Sequence, residues 1–145
     1  MSRSNWLKTT AMTAALAGTV FASGAAQAEN FKVGYAGGFT GYLAPYDQPS
    51  LKGIQLAIDE INAAGGIGGN MPVELIVKAT RSDTAQAAVV AQELVDDGVS
   101  VMIVSCDVDP AVASGVIAQA AEIPAISSCA SVNVPTMKPS MVMRL

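Results

Sequence analysis

The sequence predicts an α/β fold built on a doubly wound parallel sheet, and three features carry that prediction. Short runs rich in Val and Ile alternate with longer segments of helical periodicity, in the order β-α-β-α-β-α-β. Such alternation is the pattern of parallel strands joined by right-handed crossovers. Apolar residues make up 51% of the 145 residues while aromatics make up 5%. Aliphatic runs of that kind suit strands covered on both faces.

The first strand is Phe31-Lys32-Val33-Gly34-Tyr35-Ala36, followed by a loop rich in Gly and Pro from Gly37 to Pro49. Leu51, Ile54, Ile58 and Ile61 recur at spacings of three and four, which predicts an amphipathic helix over about 50–64. Gly65-Gly66 ends it. A second strand runs from Pro72 to Ala79. Ala87, Val90, Ala91 and Leu94 mark a second helix that stops at Gly98, with Ser82 or Asp83 as its cap. The third strand spans Val99 to Ser105. Asp109 is the expected cap of the next helix, with Pro110 in its first turn, and Val112, Val116 and Ala120 are its expected core face. Pro124 to Ser127 is a short fourth strand, Ser128 to Val134 a small-residue loop, and an edge strand is expected near Met141.

At the N-terminus Arg3 and Lys8 precede a charge-free run from Thr9 to Gln27, which ends in Ala26-Gln27-Ala28. This reads as a secretory signal peptide over residues 1–28, cleaved after Ala28. A membrane anchor is the rival reading, but Thr9 to Gly24 is short for a span and diluted by Thr, Gly and Ser. Cleavage removes two of the eight basic residues and none of the twelve acidic ones, leaving a net charge of −6. An acidic chain of this kind argues against nucleic acid as a partner. Residues 29–145 have the length of one domain.

The chemistry of catalysis is sparse. The chain has no His, which excludes Cys-His dyads, Ser-His triads and His-based metal sites, so no enzyme activity is expected. Asp107 and Asp109 make a weak cation pair, and a loop cap is the simpler reading. Asp59-Glu60 and Asp96-Asp97 read as solvated helix faces. A nucleotide-binding module shares the fold class, yet the glycines Gly34, Gly37, Gly38 and Gly41 do not space as G-x-G-x-x-G, and no G-x-x-x-x-G-K-[ST] occurs. Gly65-Gly66-Ile67-Gly68-Gly69 follows a helix and precedes a strand, the wrong context for a phosphate cradle. No cofactor is expected. Cys106 and Cys129 follow the third and fourth strands, at one rim of the sheet, and export would take them to an oxidising compartment. A disulfide between them is the working expectation, with two separately buried thiols as the alternative.

Val33-Gly34 leads into Gly38-Phe39-Thr40-Gly41, and Lys52-Gly53-Ile54-Gln55-Leu56-Ala57-Ile58-Asp59-Glu60-Ile61-Asn62-Ala63-Ala64-Gly65-Gly66 follows. This string closely resembles the opening of periplasmic binding proteins of the leucine/isoleucine/valine type. The likeness continues through Ser82-Asp83, Leu94-Val95-Asp96-Asp97-Gly98-Val99 and Ile123-Pro124-Ala125-Ile126-Ser127-Ser128. It implies the first lobe of a type I periplasmic-binding-protein fold, with residues 29–145 a partial N-terminal lobe and the second lobe missing. It also implies a periplasmic solute-capture component of an ABC importer, binding branched-chain amino acids or related amides and docking on an inner-membrane permease. A nucleotide-binding or sensory ligand-binding module is the alternative. By the resemblance, Cys129-Ala130-Ser131 would hold the solute's zwitterionic head, and Tyr46 would contact it. The family usually places a Ser after the third strand where this chain reads Cys106-Asp107-Val108-Asp109. Either Asp109 turns away to cap the helix, or the solute is not a simple aliphatic amino acid, and amides, ureas or cations come into view.

Overall fold

The computed structural model describes residues 30–129. The signal segment, Ala130, Ser131 and the strand expected near Met141 lie outside them. Four parallel strands, β1 (Phe31–Gly37), β2 (Val73–Ala79), β3 (Val101–Val104) and β4 (Ala125–Ser127), form one sheet in the order β2-β1-β3-β4. Three helices connect them: α1 (Ala44–Ala63), α2 (Thr84–Asp96) and α3 (Val108–Ala120).

Helices α2 and α3 share one face of the sheet. Val90, Ala91 and Leu94 of α2 and Ala111 and Ala118 of α3 enclose Ala36, Val99, Met102, Val104 and Ala125 in the main core. The face of α3 that does so is Ala111, Ser114, Gly115 and Ala118. This corrects the face expected from Val112, Val116 and Ala120, since Val116 is 54% exposed. The helix is apolar nearly all round, so periodicity could not choose a side. The small residues win because they admit α2, and the Ser114 hydroxyl donates to Ala87 O at 3.2 Å.

Helix α1 packs against β1 and β2. Its predicted stripe is only half-buried at Leu51, Ile54 and Ile58, and Ile61 is exposed. The helix begins at Ala44 and not near Ser50, because Pro45 suits a first turn and Pro49 is accommodated inside the helix. At its other end, Asn62 lays its side-chain amide along the edge strand: Nδ2 donates to Val73 O and Oδ1 accepts from Val73 N, both at 2.8 Å.

All three helices end alike. In each, two successive N–H groups beyond the cap donate back to carbonyls of the last turn: Gly65 to Asn62 and Gly66 to Ile61, Gly98 to Val95 and Val99 to Leu94, Glu122 to Gln119 and Ile123 to Ala118. The first residue of each pair sits in the left-handed region, which favours glycine. Gly66 is further constrained, because a Cβ there would lie 2.2 Å from Met71 O. The Gly65–Gly69 segment is thus a helix stop and a tight turn, closed by the Ile67–Met71 bridge. Glu122 occupies the left-handed position of α3 at φ 59° with a side chain that strains it. We expect Glu122→Gly to raise unfolding stability by roughly 1 kcal/mol, the usual cost of a side chain in that region. Urea denaturation checks this, and an unchanged or lowered midpoint contradicts it.

Candidate functional site

The chain leaves β1 in opposite directions, to β2 on one side and, after β2, across to β3 on the other. Open parallel sheets bind ligands beyond the carboxyl ends of their strands where such a reversal occurs. In this chain that place is the crevice between the loops following β1 and β3, flanked by those following β2 and β4.

The carboxylate of Asp47, in the first turn of α1 and fully buried, closes the floor of this crevice. Oδ2 accepts from Gly38 N and from Ser105 Oγ, both at 2.6 Å, and Oδ1 accepts from Cys106 N at 3.2 Å. One side chain therefore ties the end of β1 to the end of β3. The positive end of α1 adds to its stabilisation. Tyr35 donates its hydroxyl to Asp47 O at 3.3 Å. Burial, and then the Asp47 charge, push the Tyr35 phenol well above the usual tyrosine range.

The loop after β2 supports the other side. Thr80 to Asp83 make a turn closed by Asp83 N to Thr80 O at 3.0 Å, with Arg81 and Ser82 both at positive φ. This turn aims Ser82 Oγ at the loop after β1, where it accepts from Leu43 N at 3.1 Å and donates to Thr40 O. Gly38 fits between Leu43 and Ser82 because it has no side chain; a Cβ there would lie 2.7 Å from Leu43 Cβ. Asp83 caps α2, accepting from Gln86 N at 2.7 Å.

Above the floor stands an exposed polar rim. Asp107, not Asp109, caps α3, accepting from Val108 N at 2.8 Å through Oδ1. A cap needs extended backbone, and Asp107 has ψ 149° while Asp109 already lies inside the helix. Its Oδ2 accepts from the Tyr42 hydroxyl at 2.8 Å, across the crevice. That bond raises the Tyr42 phenol from its ordinary value. Asp109 is exposed in the first turn of α3. Tyr46, expected on a loop, lies in the first turn of α1 and is 59% exposed, as is Tyr42. Cys129 is half-buried at the end of β4 and joined to Cys106, with Cα atoms 4.7 Å apart. Asp107 and Cys129 thus stand at the rim beside the crevice, whereas Ala130 and Ser131 lie outside the described residues. Among the described residues no group of three or more His, Cys, Asp or Glu is placed to hold a metal ion. Sequence reasoning missed Asp47, Tyr42 and the bridge that Ser82 makes to Leu43 and Thr40, and it preferred Asp109 to Asp107 as the cap of α3.

The periplasmic binding protein family profile matches residues 30–143. The chain belongs to the periplasmic binding protein family. Among its relatives in that family, the leucine-, isoleucine-, valine-, threonine- and alanine-binding protein of Pseudomonas aeruginosa is 37% identical over 90 residues, 62% of this chain and 24% of that protein. The Leu/Ile/Val-binding protein of Escherichia coli K12 is 36% identical over 81 residues, 56% of this chain and 22% of that protein. Among solved structures, the branched-chain amino acid transporter substrate-binding protein LivJ of Streptococcus pneumoniae, in complex with isoleucine, superposes with a TM-score of 0.74 at 35% identity. That match covers 79% of this chain and 33% of the other. The chain spans about a quarter of the length of the first two relatives. The type I fold expected of the first lobe is the fold observed.

Two energetic consequences follow from the site. Closing the loop between Cys106 and Cys129, 23 residues apart in sequence, contributes about 3 kcal/mol by restricting the unfolded chain. That is less than the roughly 5–15 kcal/mol that holds an ordinary domain folded. The Tyr35 phenol, raised in the folded state, contributes stability that is fully present below the unfolded value of about 10 and lost as pH rises above it, because the unfolded chain then releases its proton first. We expect the stability measured by denaturant unfolding to fall between about pH 9 and about pH 11, and to fall less steeply in Tyr35→Phe. Equal slopes in the two proteins contradict this.

Proposed function

We propose that the chain forms a solute-facing lobe of an exported protein that captures amino acids of the branched-chain type, or related amides, for delivery to an ABC permease. The observation that carries this reading is the crevice at the β1/β3 reversal, floored by the Asp47 carboxylate and rimmed by Tyr42, Asp107 and Cys129, in a member of a solute-binding family. The relatives named for leucine, isoleucine and valine binding support the choice of solute.

The polarity of the rim suits such a solute. Asp107, Asp109 and two exposed tyrosines offer acceptors and ring faces to an ammonium or amide N–H. The donors expected for the solute's carboxylate are those of Cys129-Ala130-Ser131. Preorganised, uncharged donors bind a carboxylate well. Tyr46 and Asp109 are proposed contacts on the outer rim. The acidic chain and its Arg3/Lys8 leader fit export by a signal peptide removed after Ala28, which would place the protein in the periplasm. In this reading the lobe binds and releases without chemistry, and a second lobe supplies the rest of the enclosure.

Thermal-shift titration of residues 29–145 with leucine, isoleucine, acetamide, urea and nucleotides tests the proposal, since any solute that binds the native form raises its melting temperature by mass action. Leucine, isoleucine or the amide is expected to raise it, most at millimolar and higher concentration because one lobe encloses a solute incompletely. A shift by nucleotides alone overturns the reading.

A further inference from the structure

We propose that the outward face of α1 is a self-association surface. A second copy of this chain packs on it antiparallel, with Leu56 at the two-fold axis and Lys52 of each copy facing Glu60 of the other. This association needs no bound solute.

The helix has two sides. Asp47, Leu51, Ile54 and Ile58 turn toward the sheet and are buried or half-buried. At about 100° per residue, Leu56 lies opposite Asp47, and it is 61% exposed. A single exposed leucine needs no explanation. The residues around it give this one a meaning. Lys52 and Glu60 stand one turn before it and one turn after it, both exposed, and the exposed Gly53 lies beside Lys52.

Neither the glycine nor the charges are used within the described chain. A Cβ built on Gly53 would meet nothing within 4 Å, and its φ is not in the left-handed region. Glycine inside a helix weakens it relative to alanine, so the position loses stability with no return from its own chain. A second backbone approaching from outside does make use of a missing side chain. Lys52 and Glu60 are about 12 Å apart along the helix, too far to pair with each other. The ion pairs among the described residues belong to Lys78.

A two-fold axis at Leu56 uses all three residues. Such an interface must be complementary to itself, each contact occurring twice. In an antiparallel pair centred on Leu56, the residue one turn before the centre meets the residue one turn after it. Lys52 therefore meets Glu60 of the other copy, and Leu56 meets Leu56. Gly53 falls opposite Asp59, which stays solvated at the flank, and Pro49 falls opposite Ala63, so nothing bulky holds the helices apart. A parallel pair would set Lys52 on Lys52 and Glu60 on Glu60, and like charges repel. The charge order thus complements itself in one orientation, which singles out a second copy as the occupant. Two helices of 20 residues meet over about 30 Å, at the small end of specific interfaces. The dimer is accordingly weak and sensitive to salt. Because this face lies opposite Asp47, the crevice stays open in the pair.

The test is analytical sedimentation of the full chain, expressed from Met1 and purified as the cell leaves it, from about 10 to about 500 μM. We expect a reversible monomer–dimer equilibrium, weakened at least about threefold between about 0.05 M and about 0.5 M salt. Lys52→Glu and Glu60→Lys are each expected to weaken it at least about tenfold, because each sets like charges across the axis twice. An equimolar mixture of these two variants is expected to associate again, since every facing pair in the mixed dimer is then opposite in charge. The double variant K52E/E60K, which only exchanges the charges, is expected to dimerise like the parent. Melting temperatures within about 3 °C of the parent show that the fold is kept in each. A parent chain that stays monomeric throughout this range overturns the proposal. Association that the substitutions leave unchanged overturns it too, by placing the contact on another surface, and so does a mixture that fails to recover it.

Discussion

A buried carboxylate is expensive to desolvate, and it persists in a fold only where donors replace the water it loses. Asp47 meets that condition with two backbone N–H groups and a serine hydroxyl, drawn from the ends of two different strands. The consequence reaches beyond one side chain. Gly38 N and Cys106 N would otherwise point unpaired into the crevice, and Ser105 is itself almost fully buried. By accepting from all three, Asp47 sets how far apart β1 and β3 end and where α1 must start. Tyr35 then packs beneath α1's first turn, and its phenol is held protonated by burial and by the same negative charge.

The rest of the site is layered on that floor. The turn after β2 puts two consecutive non-glycine residues, Arg81 and Ser82, in the left-handed region, at a cost of about 1–3 kcal/mol each. The return is a hydroxyl that both accepts from and donates to the loop after β1. Tyr42 in that loop spans the crevice to Asp107, and Asp107 in turn accepts from the first N–H of α3, that of Val108. The rim is therefore assembled from loops that hold one another, over a core formed on the other face by α2 and α3. By contrast Lys78, whose ammonium lies near Glu93 and Asp97, belongs to a surface network of small energetic weight.

Much of this architecture is legible in the sequence. Alternating Val-rich runs and helical stripes give all four described strands and three helices, because burial on both faces leaves a strong compositional trace. The stripe of α2 is legible for the same reason: Ala87, Val90, Ala91 and Leu94 are all buried. The start of α1 was hidden by Pro45 and Pro49, which read as loop residues although a first turn accepts proline. The working side of α3 was hidden by near-uniform hydrophobicity, and only the small size of Ala111, Ser114, Gly115 and Ala118 distinguishes it. Asp47 gave no local signal, since its partners lie 9, 58 and 59 residues away. Asp107 and Asp109 both suit a cap by composition, and the backbone alone decides between them. Tyr42 carries no sequence signal, because nothing in its neighbourhood names a partner 65 residues on.

The claim on which this account turns is that the Asp47 carboxylate holds the ends of β1 and β3 together. Amide hydrogen exchange at Gly38 and Cys106 in Asp47→Asn tests it most directly, because asparagine keeps the shape but removes the charge and turns an NH2 either toward Cys106 N or toward Gly38 N and Ser105 Oγ, all of which need an acceptor. The account predicts that both amides lose protection and that unfolding stability drops by about 3 kcal/mol, while amides of the α2 core stay protected. If Gly38 and Cys106 exchange as slowly as in the parent chain and stability changes by less than about 0.5 kcal/mol, the crevice is held by something other than this carboxylate.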